Sequence, residues 1–298
     1  MNIVGTSDVI AASTGGSAHA TGKRSIGAIL IDAGRLKVED AERILRLQRE
    51  REMLFGDAAL RLKLLTQEDI DFALSRQFEY SYLLRGQSAV SEEVTAAYAP
   101  FTPQVEALRA LRSQLMLRWF DTDPAHRALA IVSSESKEGR SYIAANLAVV
   151  FSQLGERTLL IDADMRNASQ HRLFGIDNRT GLSTMLSGRA GVEAIHRIPL
   201  LRDLSVLPAG PLPPNPSELL ARPLFRELLQ GLAKEFGVIL LDTSAAGETS
   251  DPLSVSIYAG AALIVVRKNA ARVWRVRGVA DGAAQGTSTL VGTVLNDY

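Results

Sequence analysis

Three separated segments of the chain carry residues suited to binding a phosphorylated ligand. They are the loop 133–141, which reads SSESKEGRS, and two aliphatic runs that end in acidic residues, at 159–166 and 238–243. Backbone N–H groups of such a loop surround phosphates, a cation neutralises their charge, and a hydroxyl binds magnesium. Carboxylates beyond the aliphatic runs supply oxygens for the metal and for orienting a nucleophile. The order of the three segments therefore predicts a nucleotide site.

The loop departs from the usual phosphate-loop pattern, which is Gly, four residues, then Gly-Lys-Ser/Thr. Gly139 and Ser141 follow the pattern, but Ser134 stands at the first Gly and Arg140 at the Lys. Arginine keeps the charge, yet its planar fork follows a moving γ-phosphate less well, so we expect binding to survive better than transfer. Lys137 replaces an expected Gly, and a left-handed backbone there costs roughly 1 kcal/mol or more. The alternative is a decayed loop that binds nothing.

The residues around these motifs predict a doubly wound α/β domain. The loop follows the aliphatic run 128–132 and precedes a good helix former, 142–148. Buried parallel strands read as continuous aliphatic runs, and ligands gather beyond their carboxyl ends. The fold class is therefore an α/β, P-loop NTPase-like parallel sheet, preceded by a small helical repeat domain. Strands are predicted at 128–134, 158–164, 204–208, 237–242, 261–267 and 291–295.

The segment from about Glu106 onward resembles the bacterial tyrosine kinases of exopolysaccharide synthesis. The family's second acidic motif, three aliphatic residues followed by Asp-x-Asp-x-Arg, is matched by 159–166. Its Glu-x-x-Arg-x-x-Arg motif, used in ring assembly, is matched by Glu106, Arg109 and Arg112. A loop that ends Gly-Arg-Ser resembles the branch associated with exosortase and chain-length control. The third acidic motif departs from the family, because 242–244 reads Asp-Thr-Ser where Asp-x-Pro is usual.

This resemblance implies an ATP- and Mg²⁺-dependent protein tyrosine autokinase that regulates exopolysaccharide chain length and export. It implies a homo-oligomer whose partner is a Wzz-like membrane chain-length determinant. The protein is then expected to be cytoplasmic and recruited to the inner face of the cell membrane by that partner.

The resemblance also implies a role for each motif residue. Asp162 orients or deprotonates the incoming tyrosine hydroxyl, Arg166 steadies charge, and Asp251 matches a family acidic position, with helix capping as the alternative. Tyr298 is the candidate phosphoacceptor, since the family's tyrosine-rich tail is reduced here to a single terminal tyrosine. Tyr80 and Tyr82 form a second candidate pair, with core packing as the alternative. The expected sets are catalytic Asp162, Asp164, Arg166 and Arg140; nucleotide-binding Ser136, Lys137, Glu138, Gly139, Arg140, Ser141 and Tyr142; and metal-binding Ser141, Asp164 and Asp242.

A duplication with a period of 29 residues occupies the N-terminal third and predicts paired helical units. It is similar to the N-terminal domain of type II secretion and pilus ATPases, some of which bind cyclic di-GMP. Lys63 stands at the second Gly of the second repeat, which weakens that match. A purely structural docking module is the alternative. The resemblance implies cyclic di-GMP contacts from Arg24, Gly27, Gly34, Gln48, Gly56 and Gln77.

Composition and length fit two domains with substantial cores. The chain has 298 residues, 46% of them hydrophobic, no cysteine and zero formal net charge, which argues against binding nucleic acid. Its apolar runs are too short for a membrane span. The expected domains are a flexible leader at 1–23, a helical duplicated domain at 24–82, a linker at 83–105 and the nucleotide-binding kinase domain at 106–298.

Two other functions remain open from the sequence. One is a catalytically weak or inactive nucleotide-binding regulatory subunit that senses cyclic di-GMP through its repeats. The other is a septum-positioning or partition ATPase of the same fold. The latter is disfavoured because Glu135 stands where such loops carry a signature lysine.

Overall fold

The computed structural model describes residues 25–77 and 81–297, and the chain divides into two compact units between Phe78 and Glu79. The expected leader at 1–23, Arg24, Tyr80 and Tyr298 lie outside the described residues.

The first unit is built from a repeated pair of helices. Within residues 25–77 these are α1 (Ile26–Asp32), α2 (Val38–Arg51), α3 (Phe55–Arg61) and α4 (Gln67–Gln77). The third helix begins and ends 29 residues after the first, and the fourth begins 29 residues after the second. The predicted duplication is therefore confirmed as a duplication of helix pairs. The first helix packs on the fourth and the second on the third, so each pair buries the apolar face of the other.

The second unit contains a mainly parallel sheet. Within residues 81–297 its strand order is β3-β4-β2-β5-β1-β6-β7, and each neighbouring pair is parallel except β3 with β4. The six predicted strands are present, which confirms the α/β fold class. The short edge strand β3 was not predicted, because two partly exposed residues leave no apolar run. The strands are β1 (Ala128–Ser133), β2 (Thr158–Asp162), β3 (His196–Arg197), β4 (Leu204–Leu207), β5 (Val238–Ala245), β6 (Ala261–Arg267) and β7 (Thr289–Asn296).

Helices cover both faces of this sheet. Alternate residues of β1 face opposite clusters, with Leu129 and Ile131 on one side and Ala130 and Val132 on the other. The helices are α5 (Thr95–Tyr98), α6 (Pro103–Leu115), α7 (Arg140–Ser152), α8 (Gln170–Phe174), α9 (Leu182–Leu186), α10 (Pro216–Ala221), α11 (Pro223–Leu232), α12 (Asp251–Ala259) and α13 (Val273–Gln285), with a π-helical turn at Met116–Phe120 and a 3₁₀ turn at Val192–Ala194. The first cluster includes residues of α6 and α7, and the second includes residues of α11, α12 and α13.

The segment 83–105, expected as an interdomain linker, packs on the second unit instead. Leu83, Val94 and Tyr98 are buried in the cluster formed with α7. The Asn146 side chain on α7 accepts a hydrogen bond from the Ala96 N–H at 2.8 Å. The Gly and Pro residues that indicated a linker mark turns and the start of α6. The division between units accordingly lies near residue 78.

Within the described ranges, no helix has both the length and the apolar character that a membrane crossing requires.

Candidate active site

The predicted phosphate loop connects β1 to α7 at the carboxyl edge of the sheet. Gly139 and Lys137 both have a left-handed backbone, with φ of 93° and 61°. The expected strain at Lys137 is therefore present, at roughly 1 kcal/mol or more for a residue with a Cβ. Ser136 and Lys137 are exposed at the loop's tip. The predicted phosphate loop thus has a left-handed backbone at two positions despite its altered sequence.

The Glu138 side chain stabilises this loop through hydrogen bonds to other residues of the same loop. Its buried carboxylate accepts hydrogen bonds from the Glu135 N–H at 2.9 Å and from the Ser134 hydroxyl at 3.2 Å. Its carbonyl accepts from Asn296 Nδ2 at 3.1 Å, which ties the loop to the end of β7. Because an anionic side chain repels phosphate, the Glu138 carboxylate shapes the loop, and its backbone N–H is the group suited to a ligand.

Arg140 turns inward and braces the loop against β5. Its Nε donates to the Thr243 carbonyl oxygen at 2.8 Å, and its Nη1 donates to the Glu135 carbonyl oxygen at 2.9 Å and to the Ser133 hydroxyl. Its Nη2 lies 3.9 Å from Asp164 Oδ2. A single ammonium nitrogen does not span such separated acceptors, whereas the guanidinium fork does. The Arg in place of the usual Lys is therefore a structural link as well as a charge.

Asp162 ends β2, Asp242 lies opposite it within the adjacent strand β5, and both side chains are fully buried. Asp162 Oδ1 accepts from the Asp164 N–H at 3.2 Å, and its Oδ2 accepts from the Ser169 and Gln170 N–H groups, each at 2.9 Å. Burial, followed by the neighbouring Asp242, raises the pKa of Asp162 well above its usual range. Burial also raises the pKa of Asp242 to about 6, although Arg140 and two hydrogen bonds oppose that rise.

Gln170 joins the motif segments and was missed by sequence reasoning. Its Nε2 donates to Asp242 Oδ2 at 2.7 Å and to the Ser141 carbonyl oxygen at 3.1 Å. The Ser141 side chain also interacts with the Asp242 carboxyl group and lowers its pKa. The predicted metal ligands Ser141 and Asp242 therefore do lie together. Gln170 belongs to none of the motifs, so its sequence position gave no signal.

The polar groups here suit a magnesium ion. Asp242 Oδ1 is buried without a hydrogen-bond partner in the described part of the chain, which leaves one carboxylate oxygen available. Asp164 Oδ1 accepts from the Asn167 N–H at 2.9 Å, and its Oδ2 faces Arg140. The described ranges hold no cluster of three or more His, Cys, Asp and Glu residues suited to a metal. Magnesium often takes one or two carboxylates and completes its shell with phosphates and water, so Ser141 and Asp242 fit it.

Arg166 and Asp251 form a second polar contact beside the site. Arg166 Nη2 donates to the Ser217 hydroxyl at 2.8 Å and lies 3.4 Å from Asp251 Oδ2. Asp251 is buried at the start of α12. The Tyr142 side chain shares a 2.8 Å hydrogen bond with Thr95 and so contacts the 83–105 segment; its binding of nucleotide stays a prediction.

The predicted assembly residues lie on α6 but differ in their surroundings. The Glu106 side chain is 72% exposed and pairs with Arg109 at 3.0 Å. Arg112 Nη1 donates to the Val150 carbonyl oxygen at 2.8 Å, near the end of α7. Arg112 is therefore occupied within its own chain, whereas Glu106 is open to a neighbouring molecule.

The predicted cyclic di-GMP residues have structural explanations in the first unit. A Cβ on Gly27 would lie 3.3 Å from the Phe55 ring, and one on Gly56 would lie 3.4 Å from Ile70. Gly34 has a left-handed backbone between two helices. Gln48 and Gln77 lie on α2 and α4. Helix packing and turn geometry account for the three glycines, and the cyclic di-GMP prediction gains no support.

Comparison with known proteins identifies kinases as relatives, although no family model matches. The chain is 31% identical over 194 residues to the putative tyrosine-protein kinase CapB of Staphylococcus aureus, covering 64% of this chain and 83% of CapB. It is 31% identical over 194 residues to the tyrosine-protein kinase ptk of Acinetobacter johnsonii, covering 65% of this chain. The solved kinase domain of the Escherichia coli tyrosine kinase ETK matches with a TM-score of 0.67 and 29% identity, covering 74% of this chain and 85% of that domain.

The relatives differ in length from this chain. The matched region is 26% of the length of ptk, and similar shares apply to related kinases from Ralstonia and Salmonella.

Proposed function

Because this chain belongs to the family of bacterial tyrosine-protein kinases, we propose that it is an ATP- and Mg²⁺-dependent protein tyrosine autokinase. The observation that carries the proposal is the meeting of three motif segments at one edge of the sheet. Gln170 contacts both Ser141 of the phosphate loop and Asp242 of β5, and Arg140 connects that loop to Thr243 and Asp164.

In this proposal the phosphate loop holds the β- and γ-phosphates of ATP. Backbone N–H groups up to the left-handed Gly139 and the charge of Arg140 stabilise the polyanion. Ser141 and Asp242 hold Mg²⁺, with Asp164 beside them. The bound Mg²⁺ neutralises charge on the phosphates.

The reaction transfers the γ-phosphoryl group to a tyrosine hydroxyl. The hydroxyl oxygen forms a bond to the γ-phosphorus, the bond from that phosphorus to the bridging oxygen of ADP breaks, and the hydroxyl proton passes to a carboxylate. Asp162 is the proposed acceptor, because it ends β2 next to Asp242 and Gln170 links both aspartates to the phosphate loop. Its full burial means that the segment 163–169 must move to admit a substrate. Arg166 is the proposed residue that stabilises negative charge during the transfer.

The biological role proposed is regulation of exopolysaccharide chain length and export. The partner is a Wzz-like membrane chain-length determinant, which would hold this cytoplasmic kinase at the inner face of the membrane. Exposed Glu106 on α6 supports assembly into a homo-oligomer.

Incubation of the purified chain with γ-labelled ATP and Mg²⁺ tests the kinase proposal. We expect labelled phosphotyrosine from the wild type and a loss of at least tenfold in Asp164→Asn. The matched control is Asp177→Asn, which changes an aspartate that pairs with its neighbour Arg179 and should leave transfer unchanged. Nucleotide binding without phosphotyrosine would contradict the kinase proposal and favour the regulatory subunit.

A further inference from the structure

Gln170 contacts the three motif segments of the site at once. Its backbone N–H donates to Asp162 Oδ2, and its side-chain Nε2 donates to Asp242 Oδ2 and to the Ser141 carbonyl oxygen. The residue is fully buried. One glutamine therefore fixes the relative positions of the phosphate loop, the end of β2 and Asp242 within β5.

These contacts determine which oxygen of Asp242 remains available. Both hydrogens of the Gln170 amide are used, one of them on Asp242 Oδ2. Asp242 Oδ1 is buried and has no hydrogen-bond partner among residues 25–77 and 81–297. An unpaired buried carboxylate oxygen is costly, so Asp242 Oδ1 is a candidate ligand for a cation.

We propose that Gln170 is the positioning residue of the magnesium site, which rests on the function proposed above. Its amide holds Asp242 Oδ2 and leaves Oδ1 of the same carboxylate free to bind the ion. The amide also anchors the first turn of α7 through the Ser141 carbonyl. Gln170 thereby sets the spacing between the two protein ligands of Mg²⁺ without binding the ion.

Gln153 provides a matched control for this role. Its Nε2 also donates to two carbonyl oxygens, those of Ser81 at 2.9 Å and Ala96 at 3.0 Å. It lies at the opposite end of α7, about 18 Å from Ser141 at 1.5 Å per helical residue. Replacing Gln153 therefore removes similar hydrogen bonds and leaves the site untouched.

The test compares the affinity of a fluorescent ADP analogue in Mg²⁺ and in EDTA for the full chain and for Gln170→Met and Gln153→Met. The ratio of the affinity in Mg²⁺ to the affinity in EDTA should be at least tenfold smaller in Gln170→Met than in the wild type. The affinity of Gln170→Met in EDTA should change by less than threefold. Gln153→Met should keep the wild-type ratio between the two conditions. If circular dichroism shows that Gln170→Met is unfolded, the same ratio is measured on Gln170→Asn, whose shorter amide does not reach both acceptors.

An unchanged ratio in the Gln170 variants, or an equal loss in both conditions, would overturn the positioning role while the wild type still binds Mg²⁺-nucleotide. A wild type without any Mg²⁺-dependent binding would instead overturn the proposed function, and the positioning role with it.

Discussion

Asp162 and Asp242 are paired in register on the adjacent parallel strands β2 and β5, and both carboxyl groups are buried. Two acidic groups so placed cannot both ionise without a large electrostatic cost. The Arg140 guanidinium lowers that cost for Asp242, and a bound cation lowers it further. The acidic pair is therefore most stable in the charged form when the site is filled.

The stability of the ligand-free protein is expected to depend on this pair through pH. Folding raises the pKa of Asp242 from 3.8 to about 6, so the protonated carboxyl group favours the folded state. This contribution to the free energy of unfolding is complete below the unfolded-state pKa and is lost as the pH rises through the folded-state pKa. At 1.36 kcal/mol per pKa unit, the free energy of unfolding of the wild type should fall by on the order of 3 kcal/mol between about pH 4 and 7. This fall should be absent in Asp242→Asn. Urea unfolding across that range measures it. Identical pH profiles for variant and wild type would contradict the raised pKa.

Restoring the usual lysine should not repair the phosphate loop. Arg140→Lys leaves the carbonyl groups of Thr243 and Glu135 without their donors, so we expect the free energy of unfolding to fall by about 1–3 kcal/mol. Nucleotide affinity should fall as well. Denaturant unfolding and equilibrium binding measure these effects, with the exposed Arg179→Lys as control. Higher stability or tighter binding in Arg140→Lys would refute the bracing role.

The two ends of the assembly motif are expected to behave differently. Arg112→Ala removes a hydrogen bond to the Val150 carbonyl and should lower unfolding stability by about 1–3 kcal/mol. Glu106→Ala should change stability by less than about 0.5 kcal/mol and weaken assembly. Thermal unfolding and sedimentation velocity separate the two effects. Equal stability losses would show that α6 acts only within the chain.

The repeats of the first unit allow a reciprocal test of backbone strain. Gly34 and Lys63 occupy equivalent positions and have φ of 68° and 54°. Nothing lies within 4 Å of a Cβ built on Gly34, so Gly34→Ala should cost about 1 kcal/mol through its backbone alone. Lys63→Gly should be neutral or stabilising by a few tenths of a kcal/mol, because relieved strain offsets added unfolded-state freedom. Chemical denaturation of both variants measures the two changes, and a loss of stability in Lys63→Gly would contradict the strain at that position.

The phosphoacceptor remains a prediction from the sequence. If Tyr298 is the acceptor, Tyr298→Phe should abolish most phosphotyrosine while nucleotide binding stays within about twofold, since the change removes only a hydroxyl. Peptide mass spectrometry locates the modified tyrosine in the wild type. Phosphate on Tyr82 alone would reject Tyr298.

Much of the fold follows from local sequence properties. Continuous aliphatic runs predicted the buried parallel strands, because a strand covered on both faces needs no alternation of polar residues. The 29-residue period predicted the paired helices, since equivalent residues make equivalent local structure. The phosphate-loop pattern, which expects a Gly at Lys137, indicated the left-handed backbone that the structure has there.

The tertiary structure alone decided which side chains meet. Gly, Pro and polar residues in 83–105 indicated a linker, yet its buried apolar residues pack on α7. Gln170 reaches Asp242 across 72 positions of sequence, and Arg140 reaches Thr243 across 103. No periodicity or motif encodes such contacts, because they depend on how the crossover connections place one strand end beside another. The sequence therefore determined the types of residue in the motifs and the strands on which they lie. The packing of the sheet determined which side chains hydrogen-bond to those residues and hold them in place.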